Sequence, residues 1–402
     1  MKLQGVLAAT ALALAGCVAN PAATTATGEP DRAAGSATSR CEPANLSVDA
    51  AESANDAGIL RDVRALPNRP PTALTLDVGP GGNVLQELGR RDQRGKSGTT
   101  LRPGTLTVEN PETGNSRTIR DARDTPSGNQ ILFGDLGPDH VVWTEQPDTT
   151  LTEANWRIYA ADRSTGKIST VAKARSLPEL GTAPTVPGYS IPTVNHGWVY
   201  WPEARSNQTE GQPPVVNVYG RELGSDRPAE LVAKNALSPV ATTDSLYYIG
   251  FDPERWQQSE YKVHRMSLST GDTSIVDSAR GSGRAGFLTA RGDTVAWSLG
   301  RTVLVFRDTT QVAEVTAARG ALMWLRSGTD TITFTQASED HGTHYLLDLR
   351  NGCALYRLGP NKGVGEVHAG GDAVAWTVPG TNDSGQDTGA IVRRYAILGQ
   401  PR

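Results

Sequence analysis

One short phrase recurs along this chain and constrains its fold more than any other feature. A turn or acidic residue, a spacer, an aliphatic, a second spacer and an aromatic follow one another in Asp139-His-Val-Val-Trp143, Gly197-Trp-Val-Tyr-Trp201, Asp244-Ser-Leu-Tyr-Tyr248, Asp293-Thr-Val-Ala-Trp297, Asp330-Thr-Ile-Thr-Phe334 and Asp372-Ala-Val-Ala-Trp376. Such alternation is the period-2 signature of a strand that buries one face. A second strand candidate stands just upstream of each phrase, as in Gln130–Phe133 and Ala321–Leu325. Downstream lie hairpins: 156–162 with 168–171, 261–268 with 273–276, and 345–349 with 353–358. A glycine in each hairpin turn supplies the positive φ that a tight turn needs.

Four short antiparallel strands per unit, repeated at intervals near 40–50 residues, describe radially packed sheets. No segment keeps a helical period, and the 43 glycines and 25 prolines suit a turn-rich chain. The fold class is therefore all-β, a β-propeller of four-stranded blades over residues 61–402. Six phrases give six blades. The pair 104–109 and 116–119 supplies a further one at the front, so seven blades are expected and six are the next count. The phrase resembles the second strand of TolB-like and WD40-like propellers, in which an Asp turn precedes an aliphatic-x-aromatic strand. That likeness spans roughly residues 100–400 and implies a propeller with a central funnel. The Gly-His to Trp-Asp signature and the Pro-Asp-Gly turn are both missing, so the subfamily stays open.

The last unit ends at Ile391–Ile397 without a fourth strand. An unpaired edge there would be costly, and Thr72–Asp77 alternates like a strand. Residues 72–77 are accordingly expected to pair with 391–397 and close the ring; the alternative places 72–77 within the first blade.

The N-terminus carries a different message. Met1-Lys2 and the apolar run 6–15 have the layout of a secretory signal, too short to span a membrane. Leu14-Ala15-Gly16-Cys17 resembles the bacterial lipobox, which implies cleavage after residue 16, lipidation of Cys17 and anchoring at the outer face of the cell membrane. Residues 17–60 then read as the lipidated cysteine and a flexible tether, poor in groups that could be buried. Two cysteines remain, Cys41 and Cys353. In an oxidising exterior they are expected to pair.

Net charge is −4 with both signs scattered, so no nucleic-acid partner is expected. No nucleophile elbow, phosphate loop or dinucleotide glycine pattern occurs, and no cofactor is expected. Glu339, Asp340, His341 and His344 are the densest group of possible metal ligands, but the segment reads as a solvated hairpin loop rather than a metal site. Asn382–Asp387 reads as a polar loop. The blade tryptophans 143, 201, 297 and 376 read as core. Trp256, within the polar insertion 251–259, is the candidate ligand contact. Insertions at 146–154, 204–214, 251–259 and 379–388 all fall between the second and third strands of their blades, so they emerge on one face. The expected function is a monomeric, non-catalytic binding or scaffold module for an envelope protein or cell-wall glycan. The alternative is a polysaccharide lyase or hydrolase acting in the central funnel.

Overall fold

The computed structural model describes residues 41, 43–66, 72–91, 101–122, 130–146, 156–177, 181–182, 191–204, 216–254, 260–280, 285–337, 342–350, 352–361, 367–381, 384 and 387–399. Cys17, Trp256 and His341 lie outside them.

Seven antiparallel sheets follow one another along the chain, in blades at 72–121, 130–173, 193–233, 236–280, 285–316, 321–361 and 368–398. Within blades 1 to 6 the four strands of each range pair in chain order, as in Gln130–Leu136, His140–Gln146, Arg157–Asp162 and Ile168–Lys173 of blade 2, and the three strands of 368–398 do the same. The first strand of each blade contacts the first strands of both neighbouring blades, including blade 7 with blade 1. The ring therefore closes around an axis lined by first strands. All six phrase aromatics fall in second strands, and Trp143, Trp201, Trp297 and Phe334 are fully buried.

Apolar burial is divided among the blade junctions. Leu85, Leu106, Val141 and Trp143 join blades 1 and 2, Trp156 and Trp201 join blades 2 and 3, and Leu347 packs with Val303 and Val315 between blades 6 and 5. Val84, Ala373 and Tyr395 seal the junction between blade 7 and blade 1. A strand that alternates faces buries one of them against each neighbour, which is why a chain of short hairpins yields a ring of cores. Backbones approach closely at the seam between blades 7 and 1. A Cβ on Gly370 would lie 1.8 Å from the Val78 carbonyl oxygen, so backbone meets backbone there.

Ring closure uses an N-terminal strand in the last blade, but a different one from that expected. Leu60–Ala65 pairs antiparallel with Asp387–Leu398 as the outer strand of blade 7. Residues 72–78 instead form the innermost strand of blade 1, paired with Val84–Arg91. The reason is burial. Leu76 and Val78 are enclosed by neighbouring blades, whereas Leu60–Ala65 is mostly exposed, as an outer strand should be.

The folded region also begins earlier than residue 61. Ala44–Ser47 adds as a parallel fifth strand beside Thr310–Thr316 of blade 5. Glu52–Ser53 adds in parallel beside Ala354–Asn361 of blade 6. Residues 44–65, expected largely as tether, thus run as a belt along the rims of blades 5, 6 and 7. A Cys41–Cys353 disulfide, with Cα atoms 5.3 Å apart, fixes the start of that belt to blade 6.

Candidate functional site

The long connections at 147–156, 205–215, 252–259 and 382–386 all join a second strand to a third. Strand alternation puts the strand ends that flank these connections at one end of the ring. The opposite end is built of tight turns between first and second strands, such as 137–139, 196–197 and 292–293.

At that turn end the axial channel widens into a cavity of about 310 Å³. Its walls come from first strands, and four charged side chains line it: Asp77 from blade 1, Asp135 from blade 2, Arg291 from blade 5 and Arg326 from blade 6. Pro138, His196 and Thr243 at its rim are exposed, so solvent reaches it. In a seven-membered ring blade 5 stands across the axis from blades 1 and 2, while blade 6 is two places from blade 1. Arg326 is within electrostatic reach of both acids and Arg291 of Asp77, and Thr193, Asn195 and Thr243 complete the polar lining.

Bulges re-aim two of the four charges. The register of blade 1 shifts between Thr75 and Asp77, and that of blade 6 between Met323 and Arg326. Within the second bulge Trp324 adopts φ +59°, a conformation that costs a bulky residue about 1–3 kcal/mol. Its ring packs on Phe287, 4.7 Å between centroids.

Both acids tie one blade to the next. Asp77 accepts a hydrogen bond from the Leu136 N–H at 2.8 Å. Asp135 accepts from the Val194 N–H at 2.7 Å and the Thr193 hydroxyl at 3.1 Å. The Thr193 hydroxyl accepts in turn from the Ala241 N–H at 3.3 Å, and the Asn195 amide donates to the Thr242 carbonyl. Burial, reinforced by the charge of Asp135, pushes the Asp77 carboxyl well above the usual carboxylate range. Burial raises Asp135 as well, and a hydrogen bond from Asp77 opposes that rise. Both shifts run upward, so burial makes these two neighbouring carboxyls harder to ionise, while the charge of Arg326 works against it. Arg291 has no ion-pair partner among the described residues; burial draws its guanidinium down, against the opposing charges of Asp77 and Asp372.

His344 departs from expectation. It sits in Gly342–Asp348, a strand rather than a solvated loop, and is fully buried. Its Nδ1 bonds the Thr335 hydroxyl at 2.9 Å and its Nε2 lies 3.4 Å from that of Thr377. Burial lowers it to about 3, so it is a neutral strut between blades 6 and 7. Among the described residues no group of three His, Cys, Asp or Glu side chains could hold a metal ion. No helix there is long and apolar enough to cross a membrane.

Sequence reasoning passed over Asp77, Asp135, Arg291 and Arg326. A signal existed for the acids: Asp77-Val-Gly-Pro80 and Asp135-Leu-Gly-Pro138 are the same phrase in two blades. The arginines share no such phrase, and the bulge that aims Arg326 leaves no mark in the residue pattern.

No protein-family model matches the sequence, and no curated protein does. Solved structures do. An oligogalacturonate lyase from Vibrio parahaemolyticus superposes over 84% of this chain and 94% of its own, with a TM-score of 0.54 and 11% identity. A prolyl endopeptidase superposes over 82% of this chain at a TM-score of 0.50 and 11% identity, and this chain spans only 50% of its length. TolB from Acinetobacter baumannii is matched over 66% of this chain and 62% of its own, at 12% identity and a TM-score of 0.42. Identity this low speaks to architecture alone, and the superposition on the lyase and the endopeptidase is a likeness of fold, here a β-propeller of seven four-stranded blades.

Proposed function

We propose that this chain is a lipid-anchored, extracytoplasmic binding module, held at the outer face of the cell membrane through Cys17, whose insertion-bearing end engages an envelope protein or a cell-wall glycan. The observation that carries this reading is that long connections, 92–100 among them, recur between second and third strands, whereas first and second strands are joined by tight turns. The Cys41–Cys353 disulfide supports an oxidising compartment. The two axial acids support a binding role too, because each is already engaged by backbone N–H groups of the next blade. Crosslinking and pull-down from intact cells test the proposal. The parent chain should capture a partner that a variant with 205–215 and 252–259 shortened loses, while both melt alike; equal capture by the two would refute it.

One observation favours a second reading, an enzyme acting on a polysaccharide in the funnel. Asp77 and Asp135 are neighbouring carboxyls that burial pushes upward, as a general acid and base would need. The lyase named above has a comparable architecture. Under this reading Asp135→Asn abolishes turnover of an anionic polysaccharide that the parent chain cleaves. Absence of turnover by the parent across a panel of such substrates would remove it.

A further inference from the structure

We propose that the turn end of the axial channel is a second, separate binding site, for a small hydroxylated organic anion, with Arg291 taking the anionic group and the Asp77–Asp135 pair accepting from a hydroxyl. The site lies opposite the insertion-bearing end and does not depend on what that end binds. At about 310 Å³ the cavity is at the small end of ligand pockets, so the ligand is a metabolite-sized molecule rather than a chain of residues.

The choice of an anion follows from the charges. Asp77 and Asp135 line the cavity together with Arg291 and Arg326. Arg326 acts on both acids, so Arg291 is the cation of the cavity that is left to meet the charge of a ligand. Arg291 projects from the last position of its strand, Ala285–Arg291, and its guanidinium has no ion-pair partner among the described residues. A partly buried guanidinium with a planar fork of donors is suited to a carboxylate or a phosphate.

The choice of a hydroxylated ligand follows from the opposite wall. The acids accept from Leu136, Val194 and Thr193, and a carboxyl pair with about four lone-pair sites per ionised group keeps acceptor capacity beyond those bonds. Asp135 is not fully enclosed, so a donor can reach it from the channel. Thr193, Asn195 and Thr243, in the wall between, extend a polar surface that favours further hydroxyls.

Titration calorimetry on the disulfide-intact mature chain tests the site, with D-glycerate, inorganic phosphate and glycerol as probes. D-glycerate is expected to bind in the millimolar range and to weaken at least tenfold in Arg291→Gln, with glycerol silent. Should Arg291→Gln melt early, the readout moves to the parent chain: glycerate should shift the NMR signals of Thr193 and Thr243 and leave those of the loop end unmoved. Phosphate binding without glycerate binding would reduce the cavity to an inorganic-anion site and overturn the hydroxylated ligand. Equal responses to glycerol and glycerate, no binding of any probe, or unaltered affinity in a folded Arg291→Gln would each overturn the proposal. Loss of partner capture at the opposite end would leave these outcomes untouched, so the two proposals fail separately.

Discussion

Blades 5, 6 and 7 differ from blades 1 to 4 at their rims. The belt of residues 44–65 covers or completes the outer edge of the first group. In the second group the outermost strands end their sheets without a further partner among the described residues. Three of those bare strands expose a large aliphatic side chain: Ile168, Leu231 and Ile275. The belted half also carries the disulfide and the closing seam. The difference teaches that a propeller need only be stapled near its closure, because the remaining blades are held by apolar junctions on both sides.

The largest effect should come from removing the closure. Deleting residues 59–66 takes the outer strand from blade 7, exposes the edge of Asp387–Leu398, and should lower the melting temperature by roughly 10 °C or more. Differential scanning calorimetry reads this directly. Gly370→Val should follow, with a loss above about 4 kcal/mol, since its Cβ would collide with the Val78 carbonyl. Denaturant unfolding measures it, and a smaller loss would mean the seam can open without breaking.

Cys41→Ser or Cys353→Ser should cost about 3–5 kcal/mol in the chain-entropy model, because the crosslinked cysteines are 312 residues apart. Reduction of the parent chain should reproduce the loss. Acid should then weaken the belted half. His344 titrates near pH 3 when folded and near 6.5 when unfolded, so the unfolded chain binds more protons between those values. Its stabilisation is complete above pH 6.5 and is lost as pH falls toward 3, at about 1.36 kcal/mol per unit. His368, also driven down by burial, adds in the same direction. Asp77, raised by burial, acts with the opposite sign: its contribution is lost as pH rises through its folded pKa. His344→Gln should flatten the acid limb of a stability-against-pH curve.

The smallest effect belongs to the bare half. Leu231→Thr and Ile275→Thr should change stability by less than about 0.5 kcal/mol, because these side chains are already 45% and 49% exposed. A larger loss would show that the bare rims are covered in solution.

The blades were legible because their phrase is local. Each aromatic, from Trp143 to Trp376, reports its own strand and the junction beneath it. Closure was half legible. That the last blade lacked an outer strand could be read from Ile391–Ile397, but the identity of its partner is a long-range matter on which alternation alone misleads. Thr72–Asp77 alternates well because it is an inner strand, while Leu60–Ala65 is poorly patterned because one flank meets solvent. The channel charges were less visible still. Asp77 and Asp135 share a phrase, yet their meaning arises only when the ring brings blade 1 beside blade 2.

Native-state hydrogen exchange tests most directly whether residues 44–65 are a part of the ring rather than a tether. The belt makes the amides of 44–47 and of Thr310–Thr316 partners, so those engaged in pairing should exchange only by global unfolding. The outward-facing amides of the bare strand Thr273–Arg280 should exchange orders of magnitude faster, through local fraying. Equal protection at the two rims, or exchange at 44–47 as fast as in an unstructured peptide, would contradict the account.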